Sequence, residues 1–138
     1  MSIREMDSNA AHAEMQASPG AVYVDVRTPT EFGAGHPEGA VNIPVAFAGM
    51  MGMSLNDTFV EVASRVLDKE ALIVLGCKSG QRSAMAGQLL AHAGFTRLVN
   101  VAGGFAGNGP IAGWRPAGLP CSTSPAPGAT WDELRART

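Results

Sequence analysis

Residues 71–84 read Ala71-Leu72-Ile73-Val74-Leu75-Gly76-Cys77-Lys78-Ser79-Gly80-Gln81-Arg82-Ser83-Ala84. The first six form a short apolar run with β-branched residues, which suits a strand buried on both faces, as in a parallel sheet. After Ser83, the residues Ala84, Met85, Ala86, Leu89, Leu90 and Ala93 have helical spacing, and Gly94 is placed to end the helix. A cysteine is therefore predicted at the carboxyl end of a central strand, followed by a tight loop and a helix amino terminus. Ligands of open α/β sheets bind at that edge. Backbone N–H groups of such a loop converge on an anion, and the first turn of the helix adds its free N–H groups and positive dipole end. A thiolate at Cys77 would be stabilised there. Lys78 and Arg82 bring positive charge, Ser79 and Ser83 bring hydroxyls, and Gly80 supplies the positive φ of so short a turn.

The rest of the chain sets bounds on this reading. The chain has 138 residues, 46% hydrophobic and 16% charged, enough for one α/β domain with a proper core. Net charge is −2 and no lysine or arginine cluster occurs, which argues against a nucleic-acid partner. No apolar run approaches a membrane span, and the charged amino terminus lacks a signal core, so a cytoplasmic location is expected. Cys77 and Cys121 are far apart, which excludes a disulfide framework and a Cys-x-x-Cys site. His12, His36 and His92 are too scattered to suggest a metal, and no cofactor is expected.

Strands are predicted at 3–6, 21–26, 40–43 and 98–101 besides the one before Cys77. Helices are predicted from Asp7 or Ser8 to about Ala17, with Ala10, Ala11 and Met15 inward, and over 58–68, with Phe59, Val62, Ala63, Val66 and Leu67 inward. Thr28 or Thr30 caps one helical turn. Residues 45–55 mix Phe47, Met50, Met51, Met53 and Leu55 with Gly49 and Gly52. Two readings stand for them: a flexible loop folded onto the core, or an adaptable apolar rim beside the active loop. Glycine and proline thicken after Gly103, so residues 1–120 are read as the domain. Residues 121–138 are read as a Pro/Ser/Gly-rich tail, with a short helix at the capping-box pattern Thr130-Trp131-Asp132-Glu133.

Asp25-Val26-Arg27, Glu31-Phe32, the run from Gly35-His36-Pro37-Glu38 to Ile43-Pro44, the Cys77–Ser83 loop and Gly103-Gly104-Phe105 occur in this order. In this the chain resembles the rhodanese homology domain in its single-domain form. One departure is clear. The family places a tryptophan soon after the Gly-Gly pair, whereas here Asn108-Gly109-Pro110-Ile111 precedes Trp114.

The resemblance implies a rhodanese-like five-stranded parallel sheet flanked by helices on both faces. It implies a sulfurtransferase in which Cys77 takes the outer sulfur of thiosulfate, or of a persulfide donor, and passes it to cyanide or a thiol. Lys78, Ser79, Gly80, Gln81, Arg82 and Ser83 are the candidate substrate-binding residues. Asp25, Arg27 and Glu31 are structural candidates near the site. Arg82 has two readings, facing the donor or pairing with Glu31. His36 is read as a structural histidine. Small-molecule donors and acceptors are the expected partners, with a protein acceptor or a second copy of the chain at the Met-rich segment. Two other functions compete: a rhodanese-fold phosphatase or arsenate reductase, and a non-catalytic interaction module. The former resemble Cys-x-x-x-x-x-Arg, one loop residue longer than Cys77 to Arg82; the latter commonly lack the cysteine.

Overall fold

The computed structural model describes residues 3–137. In chain order its elements are β1 (Ile3–Met6), α1 (Ser8–Ala17), β2 (Val22–Asp25), α2 (Pro29–Ala34), β3 (His36–Pro37), β4 (Val41–Asn42), β5 (Ala46–Gly49), β6 (Gly52–Leu55), α3 (Phe59–Val66), β7 (Ile73–Gly76), α4 (Gln81–His92), β8 (Leu98–Val101), β9 (Cys121–Ser122) and α5 (Trp131–Arg135). Five strands form one parallel sheet in the order β1-β8-β7-β2-β4, with β7 at its centre.

Strand alternation sorts side chains between two cores. On β7, Ile73 and Leu75 face one cluster with Phe59, Val62, Ala63, Ala86, Leu90, Trp131 and Leu134, so α3, α4 and α5 cover that face. Leu72 and Val74 face the other, with Ala11 of α1, Phe32 of α2, Phe105 and Trp114. Cys77 keeps the parity of Ile73 and Leu75 and so emerges on the α4 face. Gly76 has no alternative: a Cβ there would lie 1.7 Å from the Tyr23 hydroxyl oxygen.

The helix starts follow their caps. Asp7 accepts a hydrogen bond from Ala10 N at 2.8 Å and opens α1. Ala11 is buried there, but Ala10 faces solvent, contrary to the sequence reading. Thr28, rather than Thr30, caps α2, in a reciprocal capping box with Glu31. Ahead of α3, Asn56 Oδ1 accepts from Thr58 N at 3.1 Å.

Two segments differ from expectation. Residues 46–55 are not a loop on the core. They form an antiparallel hairpin, β5 with β6, turning at Met50 and Met51, both fully exposed. Glycine on each side of the turn makes the tight reversal possible, and Gly52 sits at φ +98°. Residues 121–135 are not a detached tail. β9 pairs antiparallel with β3, Asn42 N donates to Ala129 O, and Trp131 and Leu134 are buried in the α3/α4 core. The predicted capping box at Thr130 and Glu133 is present. Trp114 still reaches the core despite the preceding insertion. Asn108 N donates to Ile111 O, closing that insertion as a turn, and Trp114 packs edge-on to Tyr23 with ring centres 5.2 Å apart.

Candidate active site

Cys77 leaves β7 buried, with 2% of its surface exposed. The chain then turns through Lys78, Ser79 and Gly80 into α4. Gly80, at φ +113°, is the residue preceding the helix, and no side chain caps that end. Gly80 N donates to Cys77 Sγ at 3.1 Å. The sulfur thus sits at an open helix amino terminus, where negative charge is favoured.

The loop is clamped from behind. Phe105 N donates to Cys77 O at 2.7 Å and Ala106 N donates to Lys78 O at 2.9 Å. Gly104, at φ +59°, lies so close that a Cβ would stand 2.5 Å from Cys77 O. The Gly103-Gly104-Phe105 turn therefore fixes the backbone from which the loop departs.

The predicted residues separate into groups. Cys77, Gly80 and Ser83 come together, with Ser83 Oγ 3.4 Å from Sγ. Arg82 turns to Glu31 in a two-pronged pair, Nη1 to Oε1 at 2.8 Å and Nη2 to Oε2 at 3.0 Å. Burial alone would push the Glu31 carboxyl up. Hydrogen bonds from Arg82 and Thr28 outweigh it and bring the group down from 4.5 to about 2. The hydrogen bonds to Glu31 in turn hold the Arg82 guanidinium more firmly protonated. Lys78, Ser79 and Gln81 are exposed, and their side chains make no hydrogen bond among the described residues. Glu31 also lines a groove with Thr28, Pro29 and Thr30 on one wall and Phe47, Ala48 and Met53 of the hairpin on the other.

Asp25 and Arg27 pair with each other. Arg27 donates Nε to Asp25 Oδ1 at 3.0 Å and Nη2 to Oδ2 at 2.7 Å, and Nη2 also reaches Gly35 O. Its guanidinium carbon lies 4.4 Å from the centre of the Phe105 ring. The pair thus ties the end of β2 to the turn that clamps the loop. His36 is buried, stacked on Phe32, with Nδ1 2.7 Å from Phe32 O. Cys121 is exposed in a pocket with Arg115, Phe105 and Gly35. Burial pushes its thiol up, with Arg115 and Arg27 pulling the other way.

Sequence reasoning missed Asn100 and Glu5. Ser83 Oγ lies 2.5 Å from Asn100 Oδ1, and Asn100 Nδ2 donates to Glu5 Oε1 at 2.9 Å and Oε2 at 3.1 Å. The available signal was a polar residue inside the otherwise apolar β8, whose parity with Leu98 turns it toward α4.

Among the described residues, no group of three or more His, Cys, Asp or Glu side chains could hold a metal ion, and no helix is long and apolar enough to cross a membrane. Comparison with known proteins agrees with the geometry. The chain is 43% identical over 98 residues to thiosulfate sulfurtransferase 16, chloroplastic, of Arabidopsis thaliana, covering 71% of this chain and 77% of that one. It is 44% identical over 89 residues to rhodanese-like domain-containing protein 15, chloroplastic, of the same plant. That match covers 64% of this chain but spans only about half, 49%, of the relative. Among solved structures, Rv0390 from M. tuberculosis superposes with a TM-score of 0.76 at 27% identity, over 90% of this chain and 100% of that chain. The family model of the Rhodanese-like domain matches residues 8–107. By sequence, topology and the placement of its loop, this chain belongs to the rhodanese-like domain family.

Proposed function

We propose that the protein is a sulfurtransferase that carries a sulfane sulfur as a persulfide on Cys77. The observation that carries this is the sulfur itself, held at the uncapped start of α4 with Gly80 N–H directed at it. The Cys77 thiolate attacks the outer sulfur of thiosulfate. A sulfur–sulfur bond forms to Cys77, the bond within thiosulfate breaks, and sulfite leaves with its electron pair. The terminal sulfur of the persulfide carries the negative charge. The free N–H groups at the start of α4 are the fixed dipoles that would hold it. Cyanide or a thiol then attacks that terminal sulfur, and Cys77 departs as thiolate. The two half-reactions predict ping-pong kinetics. Lys78, exposed and next to Cys77 in the chain, attracts the anionic donor.

Arg82 argues against the phosphatase alternative. An arginine gripping a phosphate turns its guanidinium fork to the anion, and here the Nη1/Nη2 fork faces Glu31. The test is intact mass after incubation with thiosulfate. One sulfur, about 32 Da, should add by covalent transfer and be removed by cyanide. Cys77→Ser should show no adduct. An adduct that survives in Cys77→Ser, or hydrolysis of an aryl phosphate faster than sulfur transfer, overturns the proposal.

A further inference from the structure

A chain of hydrogen bonds runs from the surface to the reactive sulfur: Glu5, Asn100, Ser83, Cys77. Its direction is decided at the outer end. The Glu5 carboxylate only accepts, so the Asn100 amide must present Nδ2 to it, at 2.9 and 3.1 Å. Asn100 Oδ1 then faces Ser83. Ser83 has one hydroxyl proton and three acceptors around it: Asn100 Oδ1 at 2.5 Å, Gly80 O at 3.3 Å and Cys77 Sγ at 3.4 Å. The shortest contact takes the proton. What Ser83 offers the sulfur is therefore a lone pair, which suits a thiol donating S–H and opposes an anion.

Ser83 and Asn100 are 0% and 3% exposed, so water has little access to either group. The parallel register of β1 and β8 places Glu5 directly opposite Asn100. The other titratable or charged groups near the sulfur are Arg82 on α4, Tyr23 on β2 and Lys78 in the loop. None of them hydrogen-bonds to it among the described residues.

We propose that Glu5 and Asn100 are positioning residues that hold the Ser83 hydroxyl away from Cys77 and so restrain formation of the reactive thiolate. This rests on Cys77 being the sulfur carrier. When the thiol proton passes to solvent, Ser83 stabilises the anion only by swinging its own proton from Asn100 to sulfur. That leaves Asn100 Oδ1 without a donor, because Glu5 prevents the amide from turning over. Glutamine at position 5 can donate as well as accept. With the carboxylate gone, only the longer contact from Asn100 Nδ2 to Gly80 O at 3.4 Å still orients the amide, which can then flip, give Nδ2 to Ser83 Oγ, and release the Ser83 proton to the sulfur.

The experiment measures thiolate ultraviolet absorbance at neutral pH, with the Cys77→Ser spectrum subtracted. Glu5→Gln should raise the ratio of thiolate to thiol by about fivefold, the worth of one ordinary hydrogen bond. Glu5 is exposed, so the fold should tolerate the change. In a Ser83→Ala background the same substitution should have no effect. No change on Glu5→Gln overturns the proposal. An equal rise with and without Ser83 also overturns it, since that would be charge acting through space. Sulfur uptake from thiosulfate is read by mass on the same samples. A wild type that takes up no sulfur, but whose thiolate responds to Glu5→Gln only when Ser83 is present, defeats the sulfurtransferase reading and upholds the chain.

Discussion

At the scale of single residues, the Arg82–Glu31 pair has a stated pH signature. The Glu31 carboxyl titrates at about 2 in the folded protein, against 4.5 ordinarily. A depressed carboxylate contributes stability above its unfolded value and loses it as pH falls toward the folded one. Both partners are partly exposed, so the pair is worth on the order of 1 kcal/mol. Urea unfolding of wild type and Glu31→Gln should therefore differ by about that much at neutral pH. The difference should hold down to about pH 5 and close by about pH 2. A gap that stays level to pH 2 would mean the two variants differ for another reason. The same pair was partly legible in the sequence. A guanidinium near the core needs a carboxylate, and Glu31 was the named partner, with donor contact as the other reading. The Glu5–Asn100 contact was not legible, because it joins residues 95 positions apart through a strand register that local sequence does not encode.

At the scale of elements, continuous apolar runs, alternation and the 3.6 period revealed β2, β7, β8, α3 and α4, because β7 and β8 are buried throughout and the helices bury a stripe. The hairpin β5–β6 buries almost none. All four residues of β6 are exposed, so no alternation distinguishes it from a loop. Its cause is local, the pair Gly49 and Gly52 around a two-residue turn. Replacing Met50 and Met51 by serine should accordingly shift unfolding free energy by no more than about 0.5 kcal/mol, as for other surface sites. Sulfur transfer to cyanide should be unchanged. A loss of stability well beyond that would place these side chains in a packed interface. The groove between this hairpin and α2 opens beside Glu31, the partner of Arg82, and none of its lining residues belongs to the Cys77–Ser83 loop.

At the scale of the whole molecule, glycine and proline content misled the reading of the carboxyl-terminal segment. Composition suggested a tail, whereas burial shows an integral strap: Trp131 is 8% exposed and Leu134 2%. The proline-rich stretch acts as a connector that delivers five helical residues to the α3/α4 face. Trp131→Ala should cost about 3 kcal/mol, the scale of truncating a large buried aromatic. Chemical denaturation would show this as a lowered midpoint with an unchanged slope. A shift below about 0.5 kcal/mol, the size of a surface substitution, would return the segment to the status of a tail.

The strand order also carries a history. Val24 pairs with Val41, Ile73 with Leu98 and Val22 with Ile73, but Ile3 must wait for Leu98, across nearly the whole sheet-forming sequence. The entropy of closing a loop grows with the chain between its ends, so from the unfolded chain the β1–β8 pairing is the costliest of the sheet to close. In refolding followed by pulsed amide exchange, its N–H groups should gain protection after those of β7. Glu5 arrives with it. The carboxylate that faces Asn100 is thus expected to reach it only after the Cys77 loop has been laid down, so the outer link of the hydrogen-bond chain is a late product of folding.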